Sequence, residues 1–252
     1  MTRQRAFVIR LSSSVVLCLS SARAPAQFPP TRATNLRILP KDIAIDSLIN
    51  VMGGFTRALG VRCNYCHVQR EGQTFEQIDF SLDDNPRKNK ARAMLRMVAA
   101  INNDHLSALA DRRQPEIVVA CITCHRGVAE PRMLQQVLLA TYTVAGADST
   151  ESVYRSLRHR YFGSGSYDFG EVPLADVAAT IAGRGKPTDA LRFHTLNTEM
   201  NPRSTFALRQ LGESYLAVGD TAAARGAYRR ALTINANDAQ SRRALDALEP
   251  RP

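Results

Sequence analysis

The sequence predicts an all-α protein in two parts. Three observations carry that prediction. Apolar residues recur in helical steps at Ile45, Leu48, Ile49, Met52, Phe55 and Leu59, and again at Ala91, Met94, Leu95, Val98 and Ile101. Asn85-Pro86 reads as a helix start, with a capping side chain followed by a proline whose missing N–H costs nothing at the first helical position. The last third of the chain repeats with a period of about 34 residues, a length typical of a helix–turn–helix unit. Composition agrees. A chain of 252 residues with 44% apolar and 22% charged side chains is globular in character and long enough for one large or two ordinary domains. No apolar run reaches the roughly 18 residues that a bilayer span needs, which excludes a polytopic membrane protein.

The chain begins with the pattern of an export signal over residues 1–26. Arg3, Arg5 and Arg10 make a basic start, Leu11 to Leu19 an apolar stretch, and Ala24-Pro25-Ala26 a small-residue cleavage site. The expected location is therefore the periplasm, with membrane attachment only if the segment stays uncleaved. Cys18 follows Leu17, where a lipoprotein signal wants a small residue, so no lipid anchor is expected. The formal charge of +10 falls to +6 without this segment, because it holds four arginines and no acid. That balance removes the main support for nucleic acid as a partner.

The four remaining cysteines stand in two copies of one pattern, Cys63-Asn64-Tyr65-Cys66-His67 and Cys121-Ile122-Thr123-Cys124-His125. C-x-x-C-H is the attachment signature of c-type haem. Two thiols at this spacing reach the two vinyl groups on one edge of a porphyrin. The next histidine is then carried beneath the ring, where an imidazole nitrogen can bind iron. Two haem c groups are the expected cofactors. A four-cysteine zinc cage and a pair of disulfides are the alternatives. Zinc would not require a histidine after each pair, and the stretch from His67 to Cys121 is long for a zinc ribbon.

The ligand on the second face of each iron decides the chemistry. Two strong protein ligands make an electron carrier, and an open face makes a site for peroxide or another small ligand. Met52 lies in the middle of the apolar stripe that precedes Cys63, and is followed by Gly53-Gly54. A glycine pair in a helix interior costs roughly 1 kcal/mol per residue relative to alanine, and is more easily tolerated where the backbone lies against something flat. Spacing alone leaves Met52 equally readable as ordinary core. Between the patterns, Met94 and Met97 share one side of the expected helix. Either could reach the second iron, as could His105.

The strings Leu59-Gly60-Val61-Arg62 before the first pattern, Ala91-Arg92-Ala93-Met94-Leu95-Arg96-Met97 with Ile101-Asn102 between the patterns, and Arg126-Gly127 after the second resemble the cytochrome subunit of photosynthetic reaction centres. That family is a tetrahaem electron donor built from two dihaem halves. This chain matches one half, over about residues 36–132. The resemblance implies axial pairs His67/Met52 and His125/Met94, with Met97 and His105 as alternative ligands, and covalent attachment at Cys63, Cys66, Cys121 and Cys124. With one half only, the form is that of a general dihaem cytochrome. Arg62, Arg92, Arg96 and Arg126 flank the motifs and could pair with haem propionates.

The tail differs in kind. Ala145 to Thr150 is small and polar, which suits a linker, and Ser152 to Phe162 reads as a helix ended by Gly163-Ser164-Gly165-Ser166. In residues 205–238, Leu208, Leu211-Gly212, Tyr215, Ala224, Tyr228 and Ala231 fall where a tetratricopeptide repeat places its packing residues. One period earlier, over about 171–204, the pattern is weaker. There His194 holds a position the repeat normally fills with an aromatic. The expected fold class is an all-α, dihaem c-type cytochrome domain with helix-turn-C-x-x-C-H units over 27–144, then a short tetratricopeptide-like array over 145–252. The expected function is one-electron transfer with redox partner proteins, the tail binding a protein or peptide. A peroxidase-like dihaem enzyme with one open haem face is the alternative.

Overall fold

The computed structural model describes residues 28–30, 32–111 and 115–248. The export signal expected at 1–26 lies outside them. The described residues are helical and contain no strand. None of their helices is long and apolar enough to cross a membrane.

The first helix, α1 (Ile45–Leu59), ends at Gly60, whose φ of 65° turns the chain out of the helix. The Val61 N–H then donates back to the Thr56 carbonyl at 3.1 Å, closing the helix end. Helix α2 (Pro86–Ala100) starts as expected, with the Asn85 side chain accepting from the Arg87 N–H at 3.0 Å and Pro86 in the first turn. It passes without a break into a π-helical turn over Ile101–Leu106. None of the α2 side chains is buried. The short α3 (Cys121–His125) is the second C-x-x-C-H pattern itself. From α1 to the end of α3 and the loop after it, the buried apolar residues reduce to Ala58, Ile78 and Val128 among those described.

The stretch expected as a linker at 145–150 is instead helical, inside α4 (Leu134–Tyr161). Small side chains do not prevent a helix when both flanks supply apolar faces. The break is a single residue, Gly146, at φ 74° and ψ −172°. In the turn that follows, buried Thr150 donates from its hydroxyl to the Gly146 carbonyl at 2.8 Å.

Beyond α4 come α5 (Glu171–Gly183), α6 (Pro187–Met200), α7 (Thr205–Ala217), α8 (Thr221–Ile234) and α9 (Ala239–Leu248). The pair α7/α8 follows the pair α5/α6 by the same interval at both helix starts, Glu171 to Thr205 and Pro187 to Thr221, which is the period read from the sequence. Across α4, α5 and α6 the core is continuous. Leu134 and Leu138 of α4 join Tyr154, Phe169, Leu174, Val177, Ile181, Phe193 and Leu196. Leu134 and Leu138 precede residue 145 in sequence, yet they pack with the array. Asp220 and Ser204 cap the second pair, accepting from the Ala223 and Ala207 N–H groups. Gly212 lies against the Tyr228 ring so closely that a Cβ there would stand 2.5 Å from it. That contact explains why the repeat needs its smallest residue opposite an aromatic.

His194 sits inside this core at 5% exposure, its Nδ1 without a hydrogen-bond partner. Burial lowers its pKa to about 4. The unfolded chain takes up a proton near pH 6.5 that the folded chain refuses until about pH 4. Stability is therefore complete above about 6.5 and falls as the pH drops toward 4, by at most about 1.4 kcal/mol per pH unit. His194→Phe should make the plot of denaturant midpoint against pH shallower across that window. An unchanged slope would exclude His194 as a source of the acid sensitivity.

Candidate functional site

Each C-x-x-C-H pattern is a single helical turn. In the first, Cys63–Tyr65 form a 3₁₀ turn and the His67 N–H donates to the Cys63 carbonyl at 3.0 Å. The second is α3. Residues at i, i+3 and i+4 share one face of such a turn, so two thiols and one imidazole face the same way in each pattern. All four thiols are free, with no disulfide among them. Among the described residues no group of three or more His, Cys, Asp or Glu side chains gathers around a common point. The four-cysteine cage is thus not assembled.

Two glycines set one turn against the other. The Gly127 N–H, just after the second turn, donates to the Ala58 carbonyl at 2.8 Å. A Cβ on Gly60 would lie 1.9 Å from the Gly127 carbonyl oxygen. The backbones touch there, and only glycine allows it. Arg126 (φ 49°) and Gly127 (φ 85°) both take left-handed conformations to make the exit from the second turn.

Two asparagines then fasten both turns to the ends of α2. Asn85 Nδ2 donates to the Tyr65 carbonyl inside the first turn at 3.0 Å. Asn102, in the π-helical turn, both donates to the Val119 carbonyl and accepts from the Val119 N–H, each at 2.8 Å. The chain is thereby held just before Cys121. Sequence reading marked Asn85 only as a cap and Asn102 only as part of a resemblance, because pairing between residues this distant along the chain leaves no periodic trace.

The two imidazoles are prepared differently. His125 Nδ1 lies 3.0 Å from the Val128 carbonyl. A ring that donates its Nδ1 proton there keeps the Nε2 lone pair for a metal, the usual arrangement of a ligating histidine. His67 has its Nδ1 buried without a partner. Burial first, and then the Lys88 cation, lower its pKa to about 4. It is therefore a neutral imidazole at physiological pH, the state that binds iron. Burial also raises the Cys66 thiol above its ordinary pKa, against the pull of Arg87 and Lys88.

Of the expected second ligands, Met52 is half-buried in α1. Met94 and Met97 are 41% and 46% exposed on α2, so protein packing does not separate them. His105 is exposed in the π-helical turn. Nothing in the protein lies within 4 Å of a Cβ built on Gly54. Ala91, Leu95, Val98 and Ile101 are only partly covered. This donor set, beside an apolar helix face with no core of its own, fits a large flat apolar group held by thioethers. Arg92 is committed to Asp83, whose Oδ1 is 2.7 Å from its Nη2. Arg62, Arg96 and Arg126 are exposed.

Comparison with known proteins bears on the same segment. Residues 44–144 match the family model of the photosynthetic reaction centre cytochrome C subunit. That segment is cytochrome-like, and the match supports an electron carrier that binds haem. It takes in α1, both C-x-x-C-H turns, α2, α3 and the first part of α4, less than half of the chain. Among curated proteins no significant match was found. Solved structures similar to this chain include the first TPR of Spaghetti (RPAP3) bound to an HSP90 peptide. It shows 17% identity over 46% of this chain and 86% of that chain, with a TM-score of 0.31. PcrH from Pseudomonas aeruginosa shows 18% identity over 46% of this chain and 88% of that chain, also with a TM-score of 0.31.

The Asn102 clamp makes a prediction. Asn102→Ala removes both hydrogen bonds that hold Val119 and should lower unfolding stability by about 1–3 kcal/mol in a denaturant titration. An unchanged midpoint would mean that the segment before Cys121 is held by other contacts.

Proposed function

We propose that this chain is a periplasmic dihaem c-type cytochrome that transfers single electrons, with a C-terminal helical array that binds a partner protein or peptide. The observation that carries the reading is the pair of C-x-x-C-H helical turns, each presenting two free thiols and an imidazole on one face. The match over residues 44–144 supports it from sequence. Residues 1–26 serve as a cleaved export signal. Residues 27–144 carry the cofactors and 145–252 form the array, with α4 shared between them.

In this reading Cys63 and Cys66 hold one haem, and Cys121 and Cys124 the other. Haem supplies a one-electron couple at iron. The protein supplies the rest. His67 and His125 would each hold an iron through a ring nitrogen, and Met52 and Met94 through a thioether. Imidazole with thioether ligation would favour the reduced state more than ligation by two imidazoles. The Val128 carbonyl fixes the His125 ring. The two glycines hold the turns at a constant separation.

Replacing both cysteines of one turn, Cys63→Ala with Cys66→Ala or Cys121→Ala with Cys124→Ala, should halve the covalent haem seen by haem stain on a denaturing gel; unchanged staining would refute attachment at that turn. Met94→Ala should convert one haem to the high-spin form and open it to carbon monoxide, whereas Met97→Ala should leave both low-spin. The reverse pattern would assign the ligand to Met97. Rapid carbon monoxide binding by the unaltered protein would support the peroxidase-like alternative.

A further inference from the structure

We propose that Lys88 is a fixed cation that sets the haem of the first turn at a higher reduction potential than the haem of the second. The inference rests on the haem reading above and adds which of the two sites holds the electron at equilibrium.

Lys88 is not an ordinary surface lysine. Its side chain is 12% exposed. Nζ donates to the carbonyls of Phe80 (3.1 Å), Ser81 (3.3 Å) and Leu82 (2.5 Å), and lies 3.2 Å from Asp83 Oδ1. An ammonium has three protons, and these acceptors take all of them. The charge is thus held in one place with little water around it. That place is beside the first turn. Phe80, whose carbonyl it binds, packs its ring edge-on against the His67 imidazole, with centroids 4.9 Å apart.

Its counter-charge is shared. Asp83 also pairs with Arg37 at 2.7 Å and with Arg92 at 2.7 Å. Arg87 stacks over the Tyr65 ring at 4.4 Å, inside the turn. Arg37 and Arg87 are exposed to water, so the desolvated cations here are Lys88 and Arg92, each 12% exposed, beside Asp83 and Asp79, the latter turned to the Ser81 N–H and hydroxyl. Of these two cations, Lys88 is the one bound to the carbonyl of Phe80, the residue whose ring packs on His67. The cations near the second turn, Arg57 and Arg126, are exposed and screened by water. Oxidised iron carries one more positive charge than reduced iron. A desolvated neighbouring cation penalises the oxidised form more strongly than a solvated one does. The first haem should thus take the electron from the second.

The experiment uses the full exported chain with both haems, counted by haem stain, in a redox titration followed by visible absorption. Lys88→Met should lower one of the two reduction steps by about tenfold in the oxidised-to-reduced ratio, about 59 mV for one electron. Lys88→Arg should leave that step in place, and Asp83→Asn, which removes counter-charge, should raise it. A chain with Cys63→Ala and Cys66→Ala should lack that same step. The inference is overturned if Lys88→Met and Asp83→Asn move the step in one direction, or if Lys88→Arg lowers it as far as Lys88→Met. Either result would make Lys88 a brace of the 80–83 loop. It is also overturned if the Cys63→Ala and Cys66→Ala chain keeps the step that Lys88 moves. If Lys88→Met fails to mature, the Arg and Asn variants still decide. Absence of haem from the unaltered protein would instead remove the haem reading itself.

Discussion

The contact between Gly60 and Gly127 governs the N-terminal half of this molecule. A hydrogen bond from the Gly127 N–H to the Ala58 carbonyl draws the exit of the second C-x-x-C-H turn against the end of the helix that leads into the first. The approach leaves no space for a Cβ on Gly60. Both glycines also hold left-handed conformations that other residues enter only at a cost. Gly60 thus needs both conformational freedom and absence of bulk, and Gly127 the conformational freedom alone. Because the link is backbone to backbone, it fixes the separation of the turns without relying on a hydrophobic core. The segment has little such core to offer, with Ala58, Ile78 and Val128 its buried apolar residues among those described.

Polar fastenings take the place that apolar packing holds elsewhere. Helix α2 buries none of its own side chains, yet it is tied at both ends, by Asn85 to Tyr65 and by Asn102 to Val119. The loop between the first turn and α2 is gathered by Lys88 and Asp83. Arg92, first among the partners, and Asn35 hold the Asp83 carboxyl well below the usual carboxylate range. Such a frame stays rigid while leaving the apolar face of α2 open. A domain whose interior is meant to hold a large flat group would need that combination, since side chains that filled the space themselves would exclude it.

The C-terminal half follows the opposite rule. Its first two helices, α5 and α6, close on a continuous core of aromatic and aliphatic side chains that also takes in Leu134 and Leu138 from the first part of α4. The two halves meet again where the Ser166 hydroxyl donates to the Arg126 carbonyl at 2.6 Å, directly after His125. The loop that ends α4 therefore rests on the second turn. The break at Gly146 joins two helical segments, both of which send side chains into the core of the array.

Much of this was legible in the sequence, and the limits have physical causes. The helical class, the start of α2 at Asn85-Pro86 and the recurrence of the helix pair were readable because periodicity and capping are local. The two C-x-x-C-H patterns were readable because the face of a helical turn is fixed by residue spacing alone. Composition misled at 145–150, where small polar residues suggested a linker and neighbouring apolar faces made a helix. The roles of Gly60, Asn102 and Lys88 were invisible, since each depends on a partner that only chain folding brings near. The choice among Met52, Met94, Met97 and His105 was narrowed by resemblance, and packing within the protein does not narrow it further. The sequence by itself determined which atoms are available for chemistry and on which local turns they sit. The tertiary structure decided how those turns face each other and which charges surround them, because distance and dielectric are properties of the packed chain and not of residue order.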